Sequence, residues 1–182
     1  MDDHCTGPDH RQRGLTLVEL LLCITILAIL TSLAPPAFTD LLARSRLGAV
    51  ETDLTGLLAS ARSSALMRNQ RVTLCHSADG QQCADTRRQG THAWSGGLLF
   101  VDLDQNRTVS NDETVFYVAN FSSAATILWN RGDSLVYQPD GTVLGGSNGT
   151  FTIQTPNSTR EHRVIVSMMG RVRRVQTTSE HD

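Results

Sequence analysis

Residues 14–36 read Gly14-Leu15-Thr16-Leu17-Val18-Glu19-Leu20-Leu21-Leu22-Cys23-Ile24-Thr25-Ile26-Leu27-Ala28-Ile29-Leu30-Thr31-Ser32-Leu33-Ala34-Pro35-Pro36, and the fold follows from them. Between Leu15 and Ala34 the one charged residue is Glu19. At about 1.5 Å per residue this run makes a helix of roughly 30 Å, one hydrocarbon thickness. A buried helix of a water-soluble domain is shorter or carries a polar face. A lone carboxylate in such a segment is expensive and needs a partner or a task. The double proline is expected to stop or bend the helix where a polar domain begins. A cleaved secretory signal fits poorly, because its apolar core is about 7–15 residues and ends in an A-x-A-like exit.

Upstream, residues 1–13 are polar, with Arg11 and Arg13 just before the apolar run. Positive residues favour the cytoplasmic side, so the amino terminus stays inside and the rest is exported. Arg44 and Arg46 oppose this weakly, being further from the helix end. The chain has 182 residues, enough beyond a leader and one helix for one modest domain. An exported domain meets an oxidising compartment. Cys5 lies before the apolar run and Cys23 within it, which leaves Cys75 and Cys83 for one disulfide closing a small loop. The competing reading is a metal site from Cys75, His76, Cys83 and His92, but no CxxC spacing supports it. Formal net charge is -2, which excludes a uniformly basic nucleic-acid binder and makes any basic surface local. All 16 basic residues are arginine, so every positive site presents a planar fork.

Downstream of Pro36 the apolar period becomes helical. Leu47, Val50, Leu54, Leu57, Leu58, Ala61 and Ala65 recur at steps of three and four. This predicts an amphipathic helix over 40–69 that continues the membrane helix and packs its stripe on the segments downstream of it. From Arg71 the period changes to two. Strands are expected at 71–75, 98–101, 114–119, 126–130, 135–138, 142–144, 150–154, 163–167 and 171–176. Turn residues separate them, among them Asp79-Gly80, Gly96-Gly97, Pro139-Asp140-Gly141 and Gly145-Gly146. One long helix preceding many short strands is an α+β arrangement.

The stretch at 14–36 resembles the amino-terminal signal of type IV pilins and pseudopilins. That family has a short charged leader ending in glycine, a hydrophobic helix with glutamate at the fifth mature residue, and a helix-bending proline. Gly14, Glu19 and Pro36 take those places. The usual first mature residue is Phe and this chain has Leu15, a mild departure at a position that tolerates other apolar residues. The resemblance implies that a prepilin peptidase cuts after Gly14 and methylates the new amine on Leu15. It also implies that Glu19 pairs with a neighbouring subunit's amino terminus in the filament. Further stretches are similar to the GspH/FimT branch: Val72 to Cys75 with Cys83, Trp94 to Asp102, Tyr137 to Thr142, and Val164 to Val175. The implied fold is a long amino-terminal helix, half transmembrane and half amphipathic, packed on a β-rich periplasmic domain. The implied layout is leader 1–14, transmembrane and filament-core helix 15–36, and periplasmic domain 37–182.

Gly170-Arg171-Val172-Arg173-Arg174 is the most informative site outside the signal. In a strand, Arg171 and Arg173 point to one face and Arg174 to the other. With Arg160 and Arg163 there are five arginines from Arg160 to Val175 against one acid, Glu161. Guanidinium forks suit phosphate oxygens. In FimT-like members a Gly-Arg-x-Arg element is associated with DNA binding during natural transformation, and the resemblance carries that role onto Gly170, Arg171 and Arg173. The bland alternative is an edge strand kept soluble by charge.

Three other motifs are better read as turns. Asp102, Asp104, Asn106, Thr108, Asp112 and Glu113 resemble a calcium loop, but the sixth position is Arg107 where such loops have glycine, and strands flank it. Gly145-Gly146-Ser147-Asn148-Gly149 matches G-x-S-x-G without the helix that a nucleophile elbow needs. Arg131-Gly132-Asp133 reads as a turn. No convergent Ser/His/Asp or metal set is evident, so no catalytic residue, cofactor or metal is expected. The resemblance implies a non-enzymatic filament subunit at the inner membrane, with other pilin subunits, the prepilin peptidase and sequence-nonspecific DNA as partners. The alternative is an H-type pseudopilin of a type II secretion machine.

Overall fold

The computed structural model describes residues 16–84, 89–121, 125–156 and 160–178, and for 32–40 and 178 the backbone alone. Gly14, Leu15 and the leader lie outside the described residues. The chain divides into two compact units, Met1–Thr39 and Asp40–Asp182. A single helix, α1 (Leu17–Arg68), contributes to both. Of the two expected outcomes at Pro35-Pro36, a stop or a bend, the stop is corrected, since α1 runs on through them. Two adjacent prolines remove two N–H donors from the ladder. The helix-forming stretches on either side carry the chain across that gap.

In the first unit the helix begins with Thr16, whose hydroxyl accepts the Glu19 N–H at 3.3 Å. This is half of a capping box, with Glu19 at the third helical position. The side chains of Leu17, Leu20, Leu21, Leu22, Ile24 and Leu27 are at least half exposed. Apolar groups therefore point outward all round this part of the helix, which is the pattern of a helix covered by lipid or by other helices. The hydroxyls of Thr25 and Thr31 donate back to the carbonyls of Leu22 and of Leu27 and Ala28. Among the described residues no helix is long and apolar enough to cross a membrane. The expected span ends at Leu15 and at residues 32–34, whose placement or side chains are not described.

In the second unit, α1 buries the predicted stripe: Leu47, Val50, Leu54, Leu57, Leu58, Ala61 and Ala65. Among the described residues nine strands come after it. They are β1 (Val72–His76), β2 (His92–Trp94), β3 (Gly96–Val101), β4 (Val115–Asn120), β5 (Thr126–Trp129), β6 (Ser134–Tyr137), β7 (Gly149–Gln154), β8 (Arg160–Val166) and β9 (Val172–Thr178). They form two antiparallel sheets, ordered β4-β3-β1-β6 and β2-β5-β7-β8-β9. One core joins the helical stripe to side chains of both sheets, with Trp129 stacked on Phe151 at 4.0 Å and Trp94 edge-on to it at 5.4 Å. The other face of the first sheet is covered by a smaller cluster of Cys75, Leu98 and Phe100. There Cys75 and Cys83 form a disulfide. That bond removes both thiolates and overturns the competing metal reading.

Two strand expectations fail. β2 is absent from the expected set, and 142–144 forms only a bridge between Val143 and Tyr137. The Val143 N–H is taken instead by the Met168 carbonyl at 2.8 Å.

Candidate functional site

The carboxyl-terminal arginines lie on the β8–β9 hairpin, and β9 is the free edge of its sheet. Pairing places Arg163 opposite Val175, Val164 opposite Arg174, and Ile165 opposite Arg173. Side chains alternate across a strand. His162, Val164 and Val166 are buried against the core, so Arg163 and Arg173 lie on the outer face and Arg174 on the helix side. At the outer face Arg163 forms an ion pair with Glu161, which also accepts from Gln154 Nε2 at 3.2 Å. On the helix side Arg174 Nε lies 3.8 Å from Oε1 of Glu51, a buried carboxylate of α1. The other Glu51 oxygen accepts from His162 Nδ1 at 2.6 Å. Arg160 also has a contact within the chain. Arg171 and Arg173 extend from the hairpin with, among the described residues, no ion-pair partner for either side chain.

Gly170 has a different place from the one the motif suggests. It closes the hairpin turn, its N–H donating to Ser167 O at 2.9 Å, with φ +71°. A Cβ there would lie 2.0 Å from the Gly141 carbonyl oxygen and 3.1 Å from Arg62 Nε. Gly170 is thus buried against the Pro139-Asp140-Gly141 turn. Arg62, on α1, donates through Nε to Gly141 O at 2.9 Å and through Nη2 to Met169 O at 3.1 Å. This guanidinium ties helix, turn and hairpin tip together, and so fixes where Arg171 emerges. Arg62 and Glu51 carry no signal in the sequence. Their hydrogen-bond partners are 79 to 111 residues away, and Arg174 is further still from Glu51, beyond any local pattern.

The remaining motifs have structural roles. Asp102, Asp104 and Glu113 bring carboxylate oxygens within 4.8 Å of one another. Each is already engaged. Asp102 accepts from Thr73 Oγ1 at 2.8 Å, Asp104 from Ser110 Oγ at 2.9 Å, and Glu113 from Leu103 N at 2.7 Å. Arg107, at the loop's sixth place, adopts φ +66°. Ser147 of the G-x-S-x-G match is buried and precedes β7, so there is no nucleophile elbow. Asp133 of Arg131-Gly132-Asp133 is buried too, and is unavailable to an adhesion partner.

The expectation that no Ser/His/Asp set converges is corrected. Asp133 accepts from His92 Nδ1 at 2.7 Å and faces His76 Nδ1 at 3.3 Å, while His76 Nε2 lies 3.3 Å from Ser95 Oγ. The Ser95 backbone N–H also donates to that Nε2 at 3.3 Å. The imidazole's lone pair is therefore shared with an amide, and one carboxylate is divided between two imidazoles. The arrangement ties β1, β2 and the turn before β6 together, and Trp94 reinforces it by stacking on His76 at 5.8 Å.

The chain matches a family model described as "Type II transport protein GspH" over residues 52–170. A second model, described as "Prokaryotic N-terminal methylation motif", matches residues 9–35. Among curated proteins it is similar to pilin-like protein PilA1 of Thermus thermophilus, 31% identical over 171 residues, covering 89% of this chain and 97% of that one. It is also similar to type IV major fimbrial protein FimA of Dichelobacter nodosus, 26% identical over 125 residues, covering 64% of this chain and 76% of the relative. Among solved structures it resembles the type IV minor pilin FimU of Pseudomonas aeruginosa, with TM-score 0.54, 17% identity, and coverage of 71% of this chain and 92% of that one. A second crystal form gives TM-score 0.53 at 18% identity.

Proposed function

The chain belongs to the GspH family of type II transport proteins and is pilin-like, and from that premise we propose that it is a minor pilin that binds DNA for natural transformation. In this reading residues 1–14 are a leader removed after Gly14, and Leu15 becomes the N-methylated first residue. Residues 15–36 cross the inner membrane once, and 37–182 form the periplasmic domain. The outward apolar groups of Leu17 to Leu30 support lipid, and later neighbouring helices, as the cover. Glu19 meets a neighbour's terminal amine once the subunit enters the filament.

The observation that carries DNA binding is the pair Arg171 and Arg173. Every other arginine of the hairpin has a partner within the chain, whereas these two lie on a sheet edge without an ion pair among the described residues. Such forks are available to phosphate oxygens. Gly170, with Arg62 behind it, positions them. Arg163 and Arg160 add positive charge nearby, and Arg174 does so less because Glu51 faces it. Binding through phosphates ignores sequence and weakens with salt, by a log–log slope of about -0.9 per phosphate on duplex DNA. Two to four contacts give roughly micromolar or weaker affinity.

A gel shift of the mature chain tests the reading. Changing Arg171 and Arg173 together to Gln removes most binding, while Lys in their place retains part of it, charge surviving without the fork. No shift by the unaltered chain at low salt, or an equal shift by the double Gln variant, refutes DNA binding. The family's name favours the second reading, a type II secretion pseudopilin, which then takes its place.

A further inference from the structure

Beyond the Gly-Arg-x-Arg element, a cleft of about 450 Å³ opens between α1 and the far end of the β8–β9 hairpin. It is lined by Arg44, Gly48, Arg160, His162, Gln176 and Thr177. Arg44, Gly48 and Glu51 succeed one another at steps of four and three, on one face of the helix. Across from them the hairpin pairs His162 with Gln176, with Arg160 two residues further on. Among the described residues the lining carries two guanidiniums, an imidazole, an amide and a hydroxyl, and no carboxylate. Glu51, behind it, is held by His162 Nδ1 at 2.6 Å and by Arg174. Arg44 and Arg160 each have a contact within the chain, and each guanidinium carries five N–H donors, so a ligand can share the group with that contact.

Gly48 is the telling residue. A glycine inside a helix costs about 1 kcal/mol against alanine. A Cβ at Gly48, like one at Gly56, would meet nothing within 4 Å, so packing requires neither glycine, and Gly48 is the one that lines this cleft. What the missing side chain does is leave the floor of a cationic cleft bare, so that an oxyanion can approach the helix.

We infer that this cleft holds a backbone phosphodiester of the DNA strand whose neighbouring phosphates Arg171 and Arg173 engage. The inference rests on the DNA reading above and extends its site from the sheet edge to the helix. β9 links the two places. From Arg171 to Thr177 an extended strand spans roughly 20 Å, the axial rise of about six nucleotides at roughly 3.4 Å each. One strand of nucleic acid laid along the edge of β9 passes Arg171 and Arg173 on its outer face and the cleft on its helix side. Arg44, which is not in the sequence motif, thereby becomes a phosphate-contacting residue, and His162, held by Glu51, positions the wall beside it.

Fluorescence anisotropy with a labelled oligonucleotide, using the mature full-length chain in neutral detergent, tests this. Gly48→Glu sets a carboxylate in the cleft while improving helix propensity, and Arg44→Gln removes one fork. Each weakens binding roughly tenfold or more, as loss of a charge-assisted contact does, and Arg44→Gln flattens the salt slope by about 0.9. Melting temperatures confirm the fold, and if Gly48→Glu fails to fold, Arg44→Gln decides. If both variants bind with wild-type affinity and slope while the Arg171/Arg173 double Gln variant does not bind, the cleft inference falls and the DNA reading stands. If the cleft variants weaken and the double Gln variant binds normally, the cleft stands and the role of the strand falls. No DNA binding by the unaltered chain overturns both. Loss of binding to phosphatidylglycerol vesicles with DNA binding intact overturns the inference in favour of a lipid headgroup.

Discussion

Replacing Gly170 by alanine separates a structural glycine from a ligand-contacting one. The new Cβ would sit 2.0 Å from the Gly141 carbonyl oxygen, which is backbone and cannot rotate aside. At φ +71° the residue also occupies the left-handed region, which costs a non-glycine residue about 1–2 kcal/mol. Relieving the clash moves the Pro139-Asp140-Gly141 turn away from the hairpin. That motion stretches the bonds from Arg62 to Gly141 O at 2.9 Å and to Met169 O at 3.1 Å. A charge-assisted hydrogen bond is worth about 1.5–3 kcal/mol. The sum is a destabilisation of roughly 3–5 kcal/mol, or about 6–20 °C in melting temperature at about 2–4 °C per kcal/mol. Gly56→Ala is the control. It is a helix glycine whose added Cβ meets nothing within 4 Å, so it gains about 1 kcal/mol. Thermal unfolding of the two variants monitored by circular dichroism gives both numbers. A Gly170→Ala chain that melts with the wild type yet no longer binds DNA refutes the structural assignment and makes Gly170 a contact residue.

Separate parts of the molecule give other outcomes. The Cys75–Cys83 bond closes a loop with sequence separation 8, so replacing both by serine costs about 2.5 kcal/mol in the chain-entropy model; an unchanged denaturant midpoint disproves it. Tyr137 is fully buried, its hydroxyl lacks a partner among the described residues, and burial pushes its pKa up to about 12. A raised pKa makes its contribution complete below pH of about 10 and lost as pH rises through 12. Tyr137→Phe therefore removes roughly 2–3 kcal/mol of alkaline destabilisation and is neutral or stabilising at pH 7; equal alkaline loss in both proteins contradicts this. Glu19→Ala leaves the chain in the membrane fraction and lowers its recovery in sheared filaments, and unchanged recovery removes Glu19 from assembly.

The helix was legible because its burial is written locally. Seven apolar residues from Leu47 to Ala65 recur at helical steps, and all seven are in the core. Most strands were legible for the same reason, since alternation is a short-range property. His92–Trp94 was not, because three residues cannot show a period. Its strand state is imposed by pairing of Trp94 with Ile127, far along the chain. The stretch at 142–144 is apolar and β-branched between turn residues, but the N–H of Val143 goes to the hairpin tip at Met168 instead of extending a ladder. Periodicity reports which face is apolar and does not report who takes the hydrogen bonds.

The same limit governs the basic site. Composition identified a cluster of arginines at one end of the chain, and the Gly-Arg-x-Arg form selected Gly170, Arg171 and Arg173. What composition weighs equally, the fold separates. Glu161 offsets Arg163, and Glu51, more than a hundred residues earlier, offsets Arg174. A positive charge that faces a fixed carboxylate attracts phosphate less than one that does not, because the ligand must compete with a partner already in place. Net availability therefore concentrates at Arg171 and Arg173. In the cleft, His162 and Arg174 hold Glu51 from opposite oxygens, and among the described residues the lining itself has no carboxylate. Glu51→Gln isolates this effect. It removes the buried negative charge while keeping a side chain of the same size, so it releases Arg174 and strengthens DNA binding at low salt by a steeper slope of about 0.9. It also leaves His162 with a weaker acceptor and lowers stability. Binding that weakens in step with stability would mean that Glu51 matters only by holding the hairpin to the helix.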